Sequence, residues 1–228
     1  MRLAFVNTKS QSGSGILLAL LFLFTCSCEP ASTAKNKQWW TDADRQLIIS
    51  ELKRTTEEVL YEIETLTEDQ WVFADDTSRW SIAEITEHLV LQNLLHYREL
   101  SVAARSPQHI EFRVITDGMD DFFTRYATDA TKGKAQWYLQ PLGKYESVEI
   151  GKSAFSKARR ELIRFVSETK ADLRKHFTYR TPVEDAYISE LKIGQVRDLH
   201  QLLLTGIAHT DRHLRQIRQI KAQIDYPD

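Results

Sequence analysis

Gly206-Ile207-Ala208-His209-Thr210-Asp211-Arg212-His213-Leu214-Arg215-Gln216-Ile217 is the stretch that decides the fold. It lies inside an amphipathic run over residues 195–224. The inward stripe of that run is Val196, Leu199, Leu203 and Gly206, then Ile217, Ile220 and Ile224. Spacings of three and four predict a helix. Between Gly206 and Ile217 the stripe positions fall on His209 or Thr210 and then on His213, so histidine fills a gap in the apolar face. Two histidines four apart project about 40° from each other on a helix. A buried neutral imidazole needs partners for both of its nitrogens. One metal ion shared by the pair is a way to supply them.

Three further helices read out from the same periodicity. Residues 42–66 carry Leu52, Thr56, Val59, Ile63 and Leu66 on one face, with Thr41 as a candidate N-cap. The next helix starts at Ser81-Ile82-Ala83-Glu84, a capping box in which hydroxyl and carboxylate satisfy backbone N–H groups left open by the first turn. Its stripe is Ile82, Ile85, Leu89, Gln92 and Leu95, and it fades near Ala104, ahead of Ser106-Pro107. Residues 152–175 make the third, through Phe155, Ala158, Leu162, Phe165, Val166, Thr169 and Leu173.

The long connection over residues 106–150 has turn signals at Asp117-Gly118, Lys132-Gly133 and Gln140-Pro141-Leu142-Gly143. Its aromatic residues Phe122, Phe123, Tyr126, Trp137 and Tyr138 mark it as packed, with a short helix over 119–127. Residues 176–193 read as a second irregular connection, broken at Thr181-Pro182. The expected fold class is all-α: a four-helix bundle whose long crossover lets helices two and three lie parallel.

A third ligand for the histidine pair should come from a neighbouring helix. His88 sits beside Leu89 and three residues after Ile85, at the edge of the inward face of helix two. His200 is nine positions before His209, roughly 180° around the helix. His96 is two turns from His88 and rotated about 80°. His109 and His176 fall in expected loops. Glu84 and Gln92 flank His88 by one turn, as groups that either orient a ligand or serve as cap and polar helix position.

Trp80-Ser81-Ile82-Ala83-Glu84-Ile85-Thr86-Glu87-His88-Leu89 resembles the second-helix signature of the DinB-like superfamily of bacterial helical metalloproteins. Ile207 to Ile217 resembles its fourth-helix signature. The stretch from Gln136 through Pro141 and Gly143 to Phe155, Arg159 and Phe165 is similar to members with the long crossover. The resemblance implies an up-down-down-up bundle and a metal site of His88, His209 and His213. It also implies thiol-dependent transferases and isomerases among characterised relatives. Around residues 181–185 the chain has Pro182 where the family pattern has a glycine turn, so the rim of the site departs from the family.

The first residues are of another kind. Arg2 and Lys9 precede an unbroken apolar run, Ile16 to Phe24, followed by Thr25-Cys26-Ser27-Cys28. The run is shorter than the roughly 20 residues a permanent membrane helix needs. Residues 1–28 therefore read as a signal of lipoprotein type, with Cys26 or Cys28 as the lipidated position, 29–37 as a linker and 38–228 as the helical domain. Export would place the protein in the cell envelope, held to a bacterial membrane by its lipid.

Cleavage before Cys28 removes two positive charges and takes the formal net charge from −2 to −4. No basic stretch stands out, which excludes nucleic acid as an expected partner. No cysteine follows Cys28, so the exported part has no internal disulfide and no thiolate ligand or nucleophile. Imidazole donors suit Zn or Ni rather than Ca or Mg. Two functions fit: a metal-dependent hydrolase or transferase of a small molecule, or a non-catalytic metal-stabilised binding or envelope-stress domain. Export weighs against direct transfer of the relatives' thiol chemistry, because such thiols are chiefly cytosolic.

Overall fold

The computed structural model describes residues 37–74, 76, 79–128, 135–179 and 195–228. The signal over residues 1–28, nearly all of the linker, the turn at Lys132-Gly133 and the breaker at Thr181-Pro182 lie outside the described residues. The described chain is mostly helical. Four long helices are α1 (Asp42–Ile63), α3 (Ile82–Ala103), α6 (Val148–Glu168) and α7 (Leu199–Lys221). Shorter ones are α2 (Glu68–Val72), α4 (Arg113–Thr116) and α5 (Asp120–Thr128). None of the described helices is long and apolar enough to cross a membrane.

The helix starts follow local chemistry. Thr41 caps α1, Ser81 caps α3 and Asp198 caps α7, each in a reciprocal capping box with Asp44, Glu84 and Gln201. Helix α6 begins earlier than its apolar stripe suggests, because the Ser147 side chain accepts from the Ile150 N–H. It also ends earlier, at Glu168. Arg45 of α1 donates to the carbonyls of Val166 and Thr169, groups near the end of α6 that lack helical partners. Leu173 is buried all the same, in the turn beyond the helix.

A small sheet was not expected from sequence. Strand β1 (Phe177–Tyr179) pairs antiparallel with β2 (Val196–Asp198), in register Phe177↔Asp198, Thr178↔Arg197 and Tyr179↔Val196. Residues 196–198, expected as the first turn of the last helix, are thus strand, and Asp198 ends it by capping α7.

Helices α1 and α3 each pack against both α6 and α7, and α5 lies on α7. Arg45 meets the end of α6 while Thr55 meets Arg159, so α1 and α6 run in opposite directions. Arg54 meets Asp211 while Glu62 meets Lys221, so α1 and α7 run the same way. Likewise α3 and α7 oppose each other, with His88 at His209 and Glu99 at Arg197. A close approach fixes one position on α6. A Cβ at Gly151 would lie 2.6 Å from the buried Trp71 ring, whose N–H donates to the Tyr145 carbonyl.

The apolar core is in two parts. One gathers around Val59, Ile85, Leu89, Phe155 and Ile217; the other around Ile48, Leu100, Leu162, Val166 and Leu203. Between them each long helix contributes polar residues: Thr55 from α1, Asn93 and His96 from α3, Arg159 from α6 and Thr210 from α7, all buried. Arg159 is 1% exposed and donates to Asn93 Oδ1 and Thr55 Oγ1. The histidines stand at one edge of this polar layer.

Candidate metal centre

His88 lies on the second turn of α3, where the capping box sets the start and hence the phase of the helix. His209 and His213 lie one turn apart on α7. Because α3 and α7 pack against each other, the three imidazoles converge, and one nitrogen from each lies within 4.8 Å of the other two. His88 Nε2 and His209 Nε2 are 3.0 Å apart. Ring centroids are 5.2 Å (His88–His209), 4.8 Å (His88–His213) and 4.5 Å (His209–His213) apart.

The hydrogen bonds fix which nitrogen faces inward. A carbonyl oxygen only accepts, so His88 Nδ1 carries the proton it gives to the Leu139 carbonyl at 2.7 Å. Its Nε2 is left with a bare lone pair. His213 Nδ1 is paired with Gln216 Oε1 at 2.9 Å, and its Nε2 accepts from Arg212 Nη2 at 3.2 Å. Two imidazole nitrogens at 3.0 Å must share either a proton or a cation. A proton serves two nitrogens, whereas a cation can serve all three.

Burial holds the imidazoles neutral. Desolvation lowers the pKa of His88, helped by the charge of Arg212. His209 and His213 are pushed well below the usual histidine range by the same desolvation, then by neighbouring imidazoles (His88 for His209; His209 and His88 for His213) and by Arg212. Neutral imidazole is the form a metal requires. The cluster contains no carboxylate or thiol, and an all-nitrogen donor set fits Zn or Ni better than Ca or Mg. The residues therefore fit a divalent transition-metal ion.

The site is covered on one side. The Trp80 ring packs against His88 at 4.9 Å and His213 at 6.3 Å, and His88 and His213 are 2% and 1% exposed. His209 is half-buried, the most exposed of the three.

The other sequence-level candidates separate. Glu84 serves as the cap of α3, and Gln92 bonds His96 at 2.6 Å, so neither orients a site histidine. Asp211, between the two histidines in sequence, pairs with Arg54 of α1, outside the cluster. His200 is buried at the start of α7, accepting from the Trp40 indole N–H, and His109 pairs with Glu111. His176 is buried just before β1. The groups that do orient the site, the Leu139 carbonyl and Gln216, escaped the sequence reading. Gln216 carried a signal, since it follows His213 by three residues on one helix face. A backbone carbonyl 51 residues away carries none.

His96 fills space beside the site for which Gly206 makes room. A Cβ at Gly206 would lie 2.8 Å from His96 Nδ1 and 3.2 Å from Cε1. Alanine in mid-helix ordinarily gains about 1 kcal/mol over glycine, but overpacking costs about 1–3 kcal/mol. Gly206→Ala should therefore destabilise the parent by about 1 kcal/mol and stabilise a His96→Ala background by about 1 kcal/mol. Urea unfolding of the four proteins checks this sign reversal; the same sign in both backgrounds would refute the contact.

The sequence model described as the DinB superfamily matches residues 51–217, most of the chain and all three histidines. Neither the curated proteins nor the solved structures contain a match.

Proposed function

The chain belongs to the DinB superfamily, and from that premise we propose that it is an exported metal-binding protein acting as a metal-dependent hydrolase or transferase on a small molecule. The single observation that carries the reading is the convergence of His88, His209 and His213, each buried or half-buried, with nitrogens within 4.8 Å. His88, His209 and His213 are the proposed ligands of one ion, Zn or Ni. Such an ion supplies Lewis acidity to an oxygen or sulfur atom brought to its remaining position. The chain's own part is to hold the donors. Leu139 and Gln216 fix the ring orientations, Trp80 packs on two of them, and His209 is the most exposed of the three.

The architecture proposed with it is a four-helix bundle of up-down-down-up order. Supporting it are the opposed directions of α1 and α6 and of α3 and α7, the shared direction of α1 and α7, and the long connection between α3 and α6. For the N-terminus we propose lipidation at Cys26 or Cys28 and attachment to a bacterial membrane, on the basic start, the apolar run and the paired cysteines. Lipid labelling of Cys26→Ala, Cys28→Ala and the double variant tests this; labelling that survives the double substitution would contradict it.

A non-catalytic, metal-stabilised domain is the second reading, favoured by the near-complete burial of His88 and His213 beneath Trp80. Metal analysis of the purified protein, followed by a hydrolase and thiol-transfer screen against its metal-free form, separates the two. Metal-dependent turnover supports the enzyme. A bound metal with no turnover, whose removal lowers stability, supports the structural role. A protein that binds no divalent metal ends both.

A further inference from the structure

Three large apolar side chains of one loop stand in water. Trp137 is 82% exposed, Tyr138 47% and Leu142 72%. Elsewhere among the described residues such side chains are exposed singly. Single ones are ordinary, whereas a group on one surface marks a contact. The exposure is not looseness, because the loop is tied down at three places. The Leu139 carbonyl accepts from His88 Nδ1 at 2.7 Å, the Lys144 N–H donates to Glu87 Oε2 at 3.0 Å, and the Tyr145 carbonyl accepts from the Trp71 indole at 2.9 Å. Gly143, with φ of +72°, makes the turn between the first tie and the others. The Trp137 and Tyr138 rings pack edge to face on each other at 5.4 Å. The loop thus presents its rings from a fixed support, beside His88.

A lipid headgroup layer suits this surface. Trp and Tyr have an apolar body and a polar tip, and they concentrate at membrane interfaces. Residues 135–145 contain no carboxylate, and Lys144 is exposed, so the loop is compatible with anionic headgroups. The tether leads to the same partner. Lys37 follows Cys28 by nine residues, a stretch that spans at most about 30 Å. The chain enters α1 at the end where α7 starts, since the Trp40 indole meets His200. His209 lies ten residues along α7 from Leu199, a rise of about 15 Å. A lipid on Cys28 therefore leaves the loop within reach of the same bilayer. Resting on the lipid anchor proposed above, we propose that the loop over residues 136–144 is a membrane-docking element, with Trp137, Tyr138 and Leu142 entering the headgroup layer. Through the Leu139 and Lys144 ties, docking holds the histidine site at the lipid surface.

The test is tryptophan emission of the full-length lipidated protein in vesicles of phosphatidylethanolamine and phosphatidylglycerol. The vesicles are made with and without acyl chains brominated near the headgroup, since bromine quenches an indole that touches it. Trp39, Trp40, Trp71 and Trp80 are buried or half-buried, which leaves Trp137 as the one fully presented indole. Brominated lipid should quench the parent. Trp137→Phe, at a position on which packing does not depend, should lose most of that quenching, and Leu142→Glu should reduce it by placing a charge in the contact. Equal quenching in the parent and Trp137→Phe, or none in either, overturns the proposal. Lipid labelling before reconstitution reads the anchor separately. If neither cysteine carries lipid, the anchor is refuted and this inference falls with it. That outcome is distinct from a lipidated chain whose Trp137 stays in water, which overturns the docking alone.

Discussion

Zinc at a thousand times its dissociation constant is expected to add about 4 kcal/mol to the unfolding free energy of the parent protein, and close to nothing to that of His213→Ala. For a domain of this size that is a rise in melting temperature of about 10 °C. The proposed ligand nitrogens come from two helices, α3 and α7, so they converge only in the folded chain. An ion that binds the folded state alone stabilises it by mass action. Thermal melts of chelated and zinc-loaded protein measure the effect. A parent that ignores zinc, or a His213→Ala variant that gains as much as the parent, would contradict it.

Acid should destabilise the metal-free protein well above the usual carboxylate range. Desolvation lowers the pKa of buried His96 to about 3, with Arg197 and Arg159 adding to the effect. Desolvation and Arg174 lower that of His200 to about 4. Both titrate near 6.5 when unfolded, so between about pH 6.5 and 4 the unfolded chain binds more protons than the folded one. Their stabilisation is present above 6.5 and is lost as pH falls, at about 1.4 kcal/mol per unit for each.

Asp198 works the other way. Burial raises its pKa to about 7 against the pull of Arg174, so its contribution is present below 3.8 and is lost as pH rises through about 7. Two histidines against one carboxyl leave a net loss of about 1.4 kcal/mol per unit below 6.5, and the metal-free site histidines add to it in the same direction. Urea unfolding at pH 7.5, 6.5, 5.5 and 4.5 measures the slope. Stability that holds level or rises toward pH 4.5 would show that these imidazoles are not buried as described.

How much of this was legible in the sequence depends on the range of each interaction. Capping boxes at Ser81 and the turn glycine at Gly118, with φ of +71°, are local chemistry and were readable directly. His209 and His213 were readable because they interrupt an apolar stripe. His88 lies at the edge of its stripe, and its place in the site came as much from the family resemblance as from its spacing.

The polar layer was not legible. The spacing from Ile85 and Leu89 puts Gln92 and Leu95 on the inner face of α3, whereas Asn93 and His96 are the buried residues. Thr55 likewise takes the buried place assigned to Thr56. Such positions are decided by partners on other helices, as Arg159 decides for Thr55 and Asn93. The strands β1 and β2, three residues each, are too short for alternation to declare itself.

His88, His209 and His213 are the proposed holders of one divalent ion. The measurement that tests it most directly is a zinc titration of seven proteins, each with one histidine replaced by alanine. His88→Ala, His209→Ala and His213→Ala should each weaken binding strongly, and His96→Ala, His109→Ala, His176→Ala and His200→Ala should bind as the parent does. Loss of zinc in His200→Ala with retention in His88→Ala would make the third ligand wrong, and unchanged binding in all seven would contradict the metal site altogether.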